Sequence, residues 1–257
     1  GQNITLSDAS STFGTLALTG ANVAVTDAGA VDLGVSTVSG TLGITSGGAV
    51  TDSGTLAITG VTTISASGQD ITLSETASTF GTLALTGANV SVTEAAATDL
   101  GASTVSGTLG VISTGAVTDS GTLAIAGATT ISASGQDITL SESASTFGTI
   151  SVTGANVAIT EAAATELGAS TVSGTLGITS TGAITDSGTL AITGDATFTN
   201  SGGTDEAITL DDSGNVFTGS VTFATDSGSA VTIVDTTALD LVALSAASLN
   251  VTAGGAV

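Results

Sequence analysis

Residues 82–148 read TLALTGANVSVTEAAATDLGASTVSGTLGVISTGAVTDSGTLAIAGATTISASGQDITLSESASTFG. Nearly the same text begins at Thr15 and again at Thr149, which gives a 67-residue repeat. Self-similarity at a fixed spacing indicates stacked repeats rather than a compact globule. We expect one continuous segment over 1–257, divided into 1–14, 15–81, 82–148, 149–218 and 219–257. The first and last pieces are partial and 149–218 is looser, so we expect a segment of a longer polypeptide.

Short alternating runs within each repeat are typical of β-strands. In the run Thr82–Thr86, Leu83 and Leu85 share one face while Ala84 shares the other face with the two threonines. Val, Ile and Thr are abundant and suit strands, and no stretch has a helical period. The chain contains no proline, as expected where most strands pair on both sides and need their N–H groups.

Three successive segments of each repeat follow one template, which predicts a coil. Dividing each repeat into three unequal turns, which begin at Thr82, Thr104 and Thr122 in the central repeat, aligns three strand-like runs per turn. The pattern predicts an all-β, right-handed parallel β-helix (a β-solenoid) with three strands per turn and about eleven turns. An antiparallel sandwich is the alternative, but it does not account for the shared template. The phenylalanines Phe13, Phe80 and Phe147 recur once per repeat and are expected to fill a corner of the core.

The charge balance narrows the range of partners. The chain has 22 acidic residues and no Lys, Arg or His. Nucleic acids and anionic membrane surfaces are poor partners for such a chain, because binding them requires cationic side chains. Since no apolar run is long enough to span a bilayer, we also expect no membrane insertion. Cations and neutral surfaces remain as partners.

The repeats resemble a known class of bacterial surface protein. The phrases GASTVSG, GAVTDSGTL and DITLS, together with the strand runs between them, look like the β-strand repeats of filamentous-haemagglutinin-like exoproteins and other giant adhesins. The resemblance covers essentially the whole chain. It implies secretion, a right-handed β-helical shaft and a role in adhesion, biofilm or extracellular fibres. It transfers no binding residue, because shaft repeats carry no motif for one.

Catalysis is not expected. The nucleophilic triads and dyads that depend on His, Cys or Lys are excluded by composition. Paired carboxylates could hydrolyse glycosides, and some β-helices do so, but here the acids recur with the repeat, whereas an active site occurs once. A β-helical polysaccharide-degrading enzyme is therefore the weakest alternative.

The acids suggest a cation. The most irregular acidic cluster consists of Asp205, Glu206, Asp211 and Asp212, and oxygen ligands of this kind suit Ca²⁺. The alternative is a solvated loop whose charge provides solubility. In the alignment above, the acids before Asp195 fall on or beside the third strand of each turn, which predicts one acidic edge and two uncharged faces. On such an edge, Ca²⁺ or protons would relieve the repulsion and promote side-by-side association.

We therefore expect a non-enzymatic structural segment of a secreted or cell-surface adhesin, extracellular fibre or matrix protein. It would act as a rigid shaft that associates with itself end to end and side by side. A cation-binding or an ice-binding solenoid is the alternative. Ice binding is suggested by the outward positions Thr82, Thr86, Thr104 and Thr108, since regular threonine arrays can organise water.

Overall fold

The computed structural model describes residues 1–226 and 228–257, and every regular element in them is a β-strand. The chain divides into two compact units, residues 1–127 and 128–257. The strands of the first unit are β1 (Ile4–Leu6), β2 (Thr15–Leu16), β3 (Thr19–Gly20), β4 (Val23–Asp27), β5 (Val31–Leu33), β6 (Ser36–Val38), β7 (Leu42–Ser46), β8 (Val50–Asp52), β9 (Leu56–Ile58), β10 (Val61–Ser65), β11 (Ile71–Leu73), β12 (Thr82–Gly87), β13 (Val90–Glu94), β14 (Thr98–Leu100), β15 (Ser103–Val105), β16 (Leu109–Ser113), β17 (Val117–Asp119) and β18 (Leu123–Ile125).

The second unit contains sixteen strands. They are β19 (Thr129–Ser132), β20 (Ile138–Leu140), β21 (Thr149–Gly154), β22 (Val157–Glu161), β23 (Thr165–Leu167), β24 (Ser170–Val172), β25 (Leu176–Ser180), β26 (Ile184–Asp186), β27 (Leu190–Ile192), β28 (Ala196–Asn200), β29 (Ile208–Leu210), β30 (Val216–Phe217), β31 (Ser220–Ala224), β32 (Ala230–Asp235), β33 (Asp240–Ser245) and β34 (Ser248–Ala253).

Parallel ladders build each unit. In the first unit, one sheet runs β1-β4-β7-β10-β12-β14-β17, with β15 and β18 continuing beside β12. A second sheet runs β2-β5-β8-β11-β13-β16, and a short third sheet runs β3-β6-β9. In the second unit, one sheet runs β20-β22-β25-β28-β31-β33 and the other β19-β21-β23-β26-β29-β32-β34, with β24, β27 and β30 beside β21. Each unit is therefore a parallel β-solenoid, as predicted.

The core is formed by side chains that stack in register from turn to turn. Val25 pairs with Ile44, Ile44 with Ile64, and Ile64 with Leu85, and all four are at most 3% exposed. Strand β12 shows the predicted alternation, because its two leucines are buried while the flanking threonines are half-buried. Apolar area removed from water contributes about 25 cal/mol per Å², so this inward stack is the main source of stability.

The turns are shorter than predicted, and there are more of them. Val23 pairs with Leu42, and Leu42 pairs in turn with Thr62, so two complete turns fit between Val23 and Thr62. The predicted turns were longer on average. About eleven turns were predicted, whereas the two units together contain about 13 turns. Turns that include a short extra strand, such as the one formed by β7, β8 and β9, have the predicted three strands.

One repeat spans three and a half turns rather than three. From β4 the first sheet rises through β7 and β10 to β12, and β13 follows half a turn later in the second sheet. Strand β13 is the repeat equivalent of β4, because the run NVAVT at 22–26 recurs as NVSVT at 89–93. Equivalent segments therefore alternate between the two sheets. The predicted division into turns that begin at Thr82, Thr104 and Thr122 is wrong.

Glycine is required at corners for two different reasons. At Gly68 and Gly135 the backbone has φ values of +74° and +73°, which favour glycine over residues with a side chain. At Gly121 the φ angle is ordinary, but a Cβ would lie 2.3 Å from the amide nitrogen of Ala102 on the neighbouring turn. Successive turns pack so closely at this corner that no side chain fits.

Aromatic packing distinguishes the last part of the second unit. The rings of Phe198 and Phe223 stack with centroids 5.7 Å apart, and Phe217 meets Phe198 edge-on at 6.2 Å. All three are almost fully buried. Of the three phenylalanines predicted to fill a corner of the core, Phe80 and Phe147 are buried and Phe13 is half-buried. The looser repeat thus fills its core with larger side chains.

The alternation on β12 yields a paired prediction. Leu85→Asp should lower the free energy of unfolding by at least about 3 kcal/mol, because it places an unpaired charge in the core. Thr86→Asp, one residue later on the outward face, should change it by less than about 0.5 kcal/mol. Urea denaturation followed by circular dichroism measures both, and equal losses would contradict the assigned faces.

Candidate functional site: the acidic corners

Four buried acids each end a strand and turn toward the backbone of a phenylalanine. We call Asp27, Glu94, Glu161 and Asp235 the corner acids, and each is at most 2% exposed. The amide nitrogen lies 2.7 Å from a carboxylate oxygen in the pairs Phe13–Asp27, Phe80–Glu94 and Phe147–Glu161, and 3.4 Å in Phe217–Asp235. The carboxyl group thus accepts a hydrogen bond that the irregular corner would otherwise leave unmade.

A second set of acids binds the loops of the following turn. The Oδ1 atom of Asp52 accepts a hydrogen bond from the Ser74 amide at 2.7 Å, and Oδ2 accepts one from the Glu75 amide at 3.2 Å. Asp186 is the equivalent of Asp52 two repeats later, and it accepts a hydrogen bond from the Asp211 amide at 2.8 Å. Burial raises the pKa of Asp186, an effect that its hydrogen bonds partly offset. These acids fix loop backbones in place.

Side-chain amides and carboxylates also form short ladders up the corners. The Asp70 carboxylate accepts a hydrogen bond from Asn89 Nδ2 at 2.9 Å, and Asn89 Oδ1 accepts one from the Thr108 amide at 3.1 Å. The equivalent ladder of the second unit joins Asp137, Asn156 and Thr175. Each ladder links three successive turns.

The outward acids are bound by hydroxyl groups. Asp32 accepts hydrogen bonds from Ser53 Oγ and Thr15 Oγ1, both at 2.7 Å. These hydroxyls, that of Ser53 first, hold the pKa of Asp32 below its usual range. Asp99, its repeat equivalent, accepts hydrogen bonds from Thr82 and Ser120 at 2.8 Å. In a chain without basic side chains, hydroxyl and amide donors take the place of cations around the acids.

The structure does not place the acids on one edge. Asp32 lies on β5 in the second sheet of the first unit, whereas Asp99 lies on β14 in its first sheet. The predicted single acidic edge with two uncharged faces is therefore wrong. The cause is the half-turn left over by each repeat, which carries equivalent residues to the opposite sheet.

The predicted calcium ligands lie just before and just after β29. Asp205 and Asp211 are exposed, while Glu206 and Asp212 are half-buried. The Asp212 carboxylate is already bound, since its Oδ1 accepts hydrogen bonds from the Gly214 amide at 2.8 Å and from Thr189 Oγ1 at 3.0 Å. Within residues 1–226 and 228–257, no group of three or more acidic side chains is placed to hold a metal ion. A calcium site at these four acids stays a prediction.

Sequence reasoning identified the acids but not their bonds to the backbone. A signal was present, because an acid follows each repeated phenylalanine at one fixed spacing, at Asp27, Glu94 and Glu161. That spacing acquires a meaning only when the register of neighbouring turns is known. The part of the chain that the structure describes contains no pocket.

The loop-binding acids provide a second prediction. Asp52→Ala should lower the free energy of unfolding by about 1–3 kcal/mol, because it leaves the amides of Ser74 and Glu75 without an acceptor. Glu75→Ala is the matched control, since the described residues offer no hydrogen bond to its carboxylate. Denaturant titration measures both variants, and a control as damaging as Asp52→Ala would show that the loop rather than the bond matters.

A comparison with family models matches most of the chain. Residues 20–86, 87–153 and 154–224 each match a model described as repeats of unknown function, DUF5649. These boundaries reproduce the period of the sequence repeat in a shifted frame, and the third match is longer, as the looser repeat requires. No curated protein and no solved structure matches the chain.

A search of the described residues for a helix long and apolar enough to span a membrane found none. In this chain the matched repeats fold as turns of a parallel solenoid within each unit. The chain belongs to the DUF5649 family of repeats of unknown function.

Proposed function

We propose that this chain is a structural, non-enzymatic repeat segment that serves as a stiff shaft in an extracellular assembly. The observation that carries the proposal is that acidic side chains form hydrogen bonds within the fold. Asp52, Asp70 and Glu94 all accept hydrogen bonds that hold loops or neighbouring turns in place. These acidic side chains, which in an enzyme could act in catalysis, thus join one turn of the solenoid to the next.

We place this segment in a secreted or cell-surface adhesin, fibre or biofilm matrix protein. The support comes from the resemblance of its repeats to filamentous-haemagglutinin-like exoproteins. The composition agrees with this placement, because a chain without cysteine or any basic residue has neither thiols to oxidise nor the cationic sites at which trypsin-like proteases cleave.

Side-by-side self-association is proposed through a column of hydroxyl groups. On the first sheet of the first unit, five outward residues pair in register across successive turns: Thr26, Thr45, Ser65, Thr86 and Thr104. Two residues earlier on four of these strands the outward positions are small or hydroxylated: Ala24, Gly43, Thr63 and Ala84. The strip is uncharged, and its side chains repeat at the strand spacing of about 4.8 Å. A second copy can approach such a surface without burying a charge.

Charge placed on this hydroxyl column should weaken self-association. The double variant Thr45→Glu and Ser65→Glu puts two acids on neighbouring strands of the column. We expect association to weaken by about tenfold or more, because like charges facing each other across an interface cost several kcal/mol. Sedimentation velocity and light scattering of the 257-residue chain over a concentration series provide the measurement.

The second sheet supplies a matched control. Thr72→Glu and Ser91→Glu add the same two charges on paired strands of that sheet, where Asp32 already places an acid. Association should change little in this variant. Equal weakening of association by both variants would indicate a general effect of net charge. A wild-type chain that stays monomeric would contradict the proposed side-by-side contact.

Addition of Ca²⁺ or of EDTA in the same assay tests the proposed role of divalent cations. Ca²⁺ should increase light scattering, and EDTA should reverse the increase.

Ice binding is the second candidate, and the hydroxyl column is the observation that favours it. Five hydroxyl groups pair in register along it, and two of them, Thr86 and Thr104, are at positions named in the sequence-based hypothesis. Thermal hysteresis of the wild-type chain should be measurable if the column orders water, and should disappear in Thr45→Glu. A freezing point equal to the melting point at millimolar protein would remove this candidate.

A further inference from the structure

Three residues change together at the corner acids of successive repeats. Residues 27–31 read DAGAV, whereas residues 94–98 and 161–165 both read EAAAT. Aspartate is thus accompanied by glycine and valine, and glutamate by alanine and threonine. The last position faces the core in every case, because Val31, Thr98 and Thr165 are all at most 1% exposed. A hydroxyl group appears in the core where the acid is a glutamate.

At Asp27, both carboxylate oxygens accept hydrogen bonds from backbone amides. Asp27 Oδ2 accepts a hydrogen bond from the Phe13 amide at 2.7 Å, and Oδ1 accepts one from the Gly29 amide at 2.7 Å. Two N–H groups directed at two carboxylate oxygens suit the ionised form, because the charge is then shared with both dipoles. Asp27 therefore needs nothing from the residue at position 31.

At the glutamate corners, one carboxyl oxygen has no backbone donor. Glu94 Oε1 accepts a hydrogen bond from the Phe80 amide at 2.7 Å, but Oε2 is buried and makes no hydrogen bond of good geometry among the described residues. The Thr98 hydroxyl is also buried and makes no hydrogen bond of good geometry among the described residues. It nevertheless lies close enough to Glu94 to lower the pKa of that carboxyl group. Glu161, Phe147 and Thr165 repeat this arrangement in the second unit.

We propose that Glu94 and Glu161 are held in the fold as neutral carboxylic acids, each donating its proton to the hydroxyl of the threonine four residues later. The threonine hydroxyl can accept a hydrogen bond from a protonated carboxyl group or donate one to an ionised carboxylate, so the cost of burying the charge decides between the two forms. The ionised form would bury a charge with one backbone N–H group and one hydroxyl as donors in a chain that contains no basic side chain.

The electrostatics agree with this arrangement. Burial is the largest influence on both groups and raises the pKa of Glu94 and of Glu161, while the amide and threonine contacts act in the opposite direction. Other acids on the elements around Glu94 are Glu75, on the loop before Phe80, and Asp99, bound outward to hydroxyls. Around Glu161 the corresponding acids are Glu142 and Glu166.

The direction of the pH effect follows from linkage. A folded-state pKa above the ordinary value of 4.5 means that the folded chain binds protons more tightly than the unfolded chain. The stability contributed by each pair is then fully present below pH 4.5 and is lost as the pH rises through the folded-state pKa. Asp32 acts in the opposite direction, because its lowered pKa costs stability only below about 3.8. The interval from pH 5 to pH 8 therefore isolates the glutamates, together with Asp186, which remains constant in the comparison.

The test uses glutamine as a mimic of the protonated acid in the 257-residue chain. Glu94→Gln with Glu161→Gln should raise the melting temperature at pH 8 by about 2–4 °C per site and leave it nearly unchanged at pH 5. Asp27→Asn is the matched control. It should lower the melting temperature at both pH values, because an amide nitrogen replaces an oxygen that accepts an N–H. Glutamine variants that melt below wild type at pH 8 would overturn the proposal.

Two further measurements keep the proposal testable if the glutamine variants fold poorly. Replacing residues 94–98 and 161–165 with the DAGAV of the first repeat should abolish the pH-dependence due to these sites. The wild-type chain has six glutamates, so the carboxyl ¹³C signals of glutamate-labelled protein can be titrated individually. Two should titrate above the other four and be lost from that position in the swapped chain. Six signals that all titrate near 4.5 would overturn the proposal.

Discussion

A chain with 22 acids and no basic side chain must surround its carboxylates with backbone N–H groups, side-chain amides and hydroxyls. A parallel solenoid suits this constraint because its corners present amides that the ladders do not use. Asp52 and Asp27 each accept two backbone hydrogen bonds there, and Asp32 collects hydroxyl groups on the outward face. The acids thereby serve the fold as acceptors. Each such bond to a charged group contributes about 1.5–3 kcal/mol, far more than an exposed ion pair.

The relation between repeat and turn has a structural consequence. Because one repeat spans three and a half turns, the segment that forms β4 in one sheet forms β13 in the other. Both sheets of the first unit therefore carry the same kinds of segment. Neither sheet becomes wholly acidic or wholly hydroxylated. Acids that would face each other at the strand spacing are instead separated by strands that carry threonine, as where Asp32 pairs between Thr15 and Thr51.

The sequence predicted the parts of this structure that depend on local pattern. The alternation of Leu83 and Leu85 with threonine placed the core and surface sides of β12 correctly, and the fixed period predicted a parallel coil. The assignment of segments to sheets could not be predicted, because inward pairs such as Val23–Val25 and Val31–Leu33 look alike although they lie on different sheets. The Glu94–Phe80 bond was missed for the same reason. Glu94 ends β13, whereas Phe80 lies in the segment between β11 and β12, and the two residues meet only at the corner.

The aspartate corner and the glutamate corners provide an acceptor for the same backbone amide in different ways. The amide of Phe13, Phe80 or Phe147 needs an acceptor, since a buried N–H left unpaired costs about 1–3 kcal/mol. Asp27 accepts this hydrogen bond with one carboxylate oxygen, and the Gly29 amide donates to the other. Glutamate is one methylene longer and has alanine where Asp27 has glycine, so its second oxygen turns toward the core. Thr98 then provides a polar partner for this oxygen, at the position where the first repeat has the apolar side chain of Val31. The glutamate corner keeps the phenylalanine amide but has a threonine hydroxyl in place of the second backbone donor. Loss of that backbone donor makes the neutral acid the form that this corner can bury, so the packing of the core depends on whether the acid is protonated.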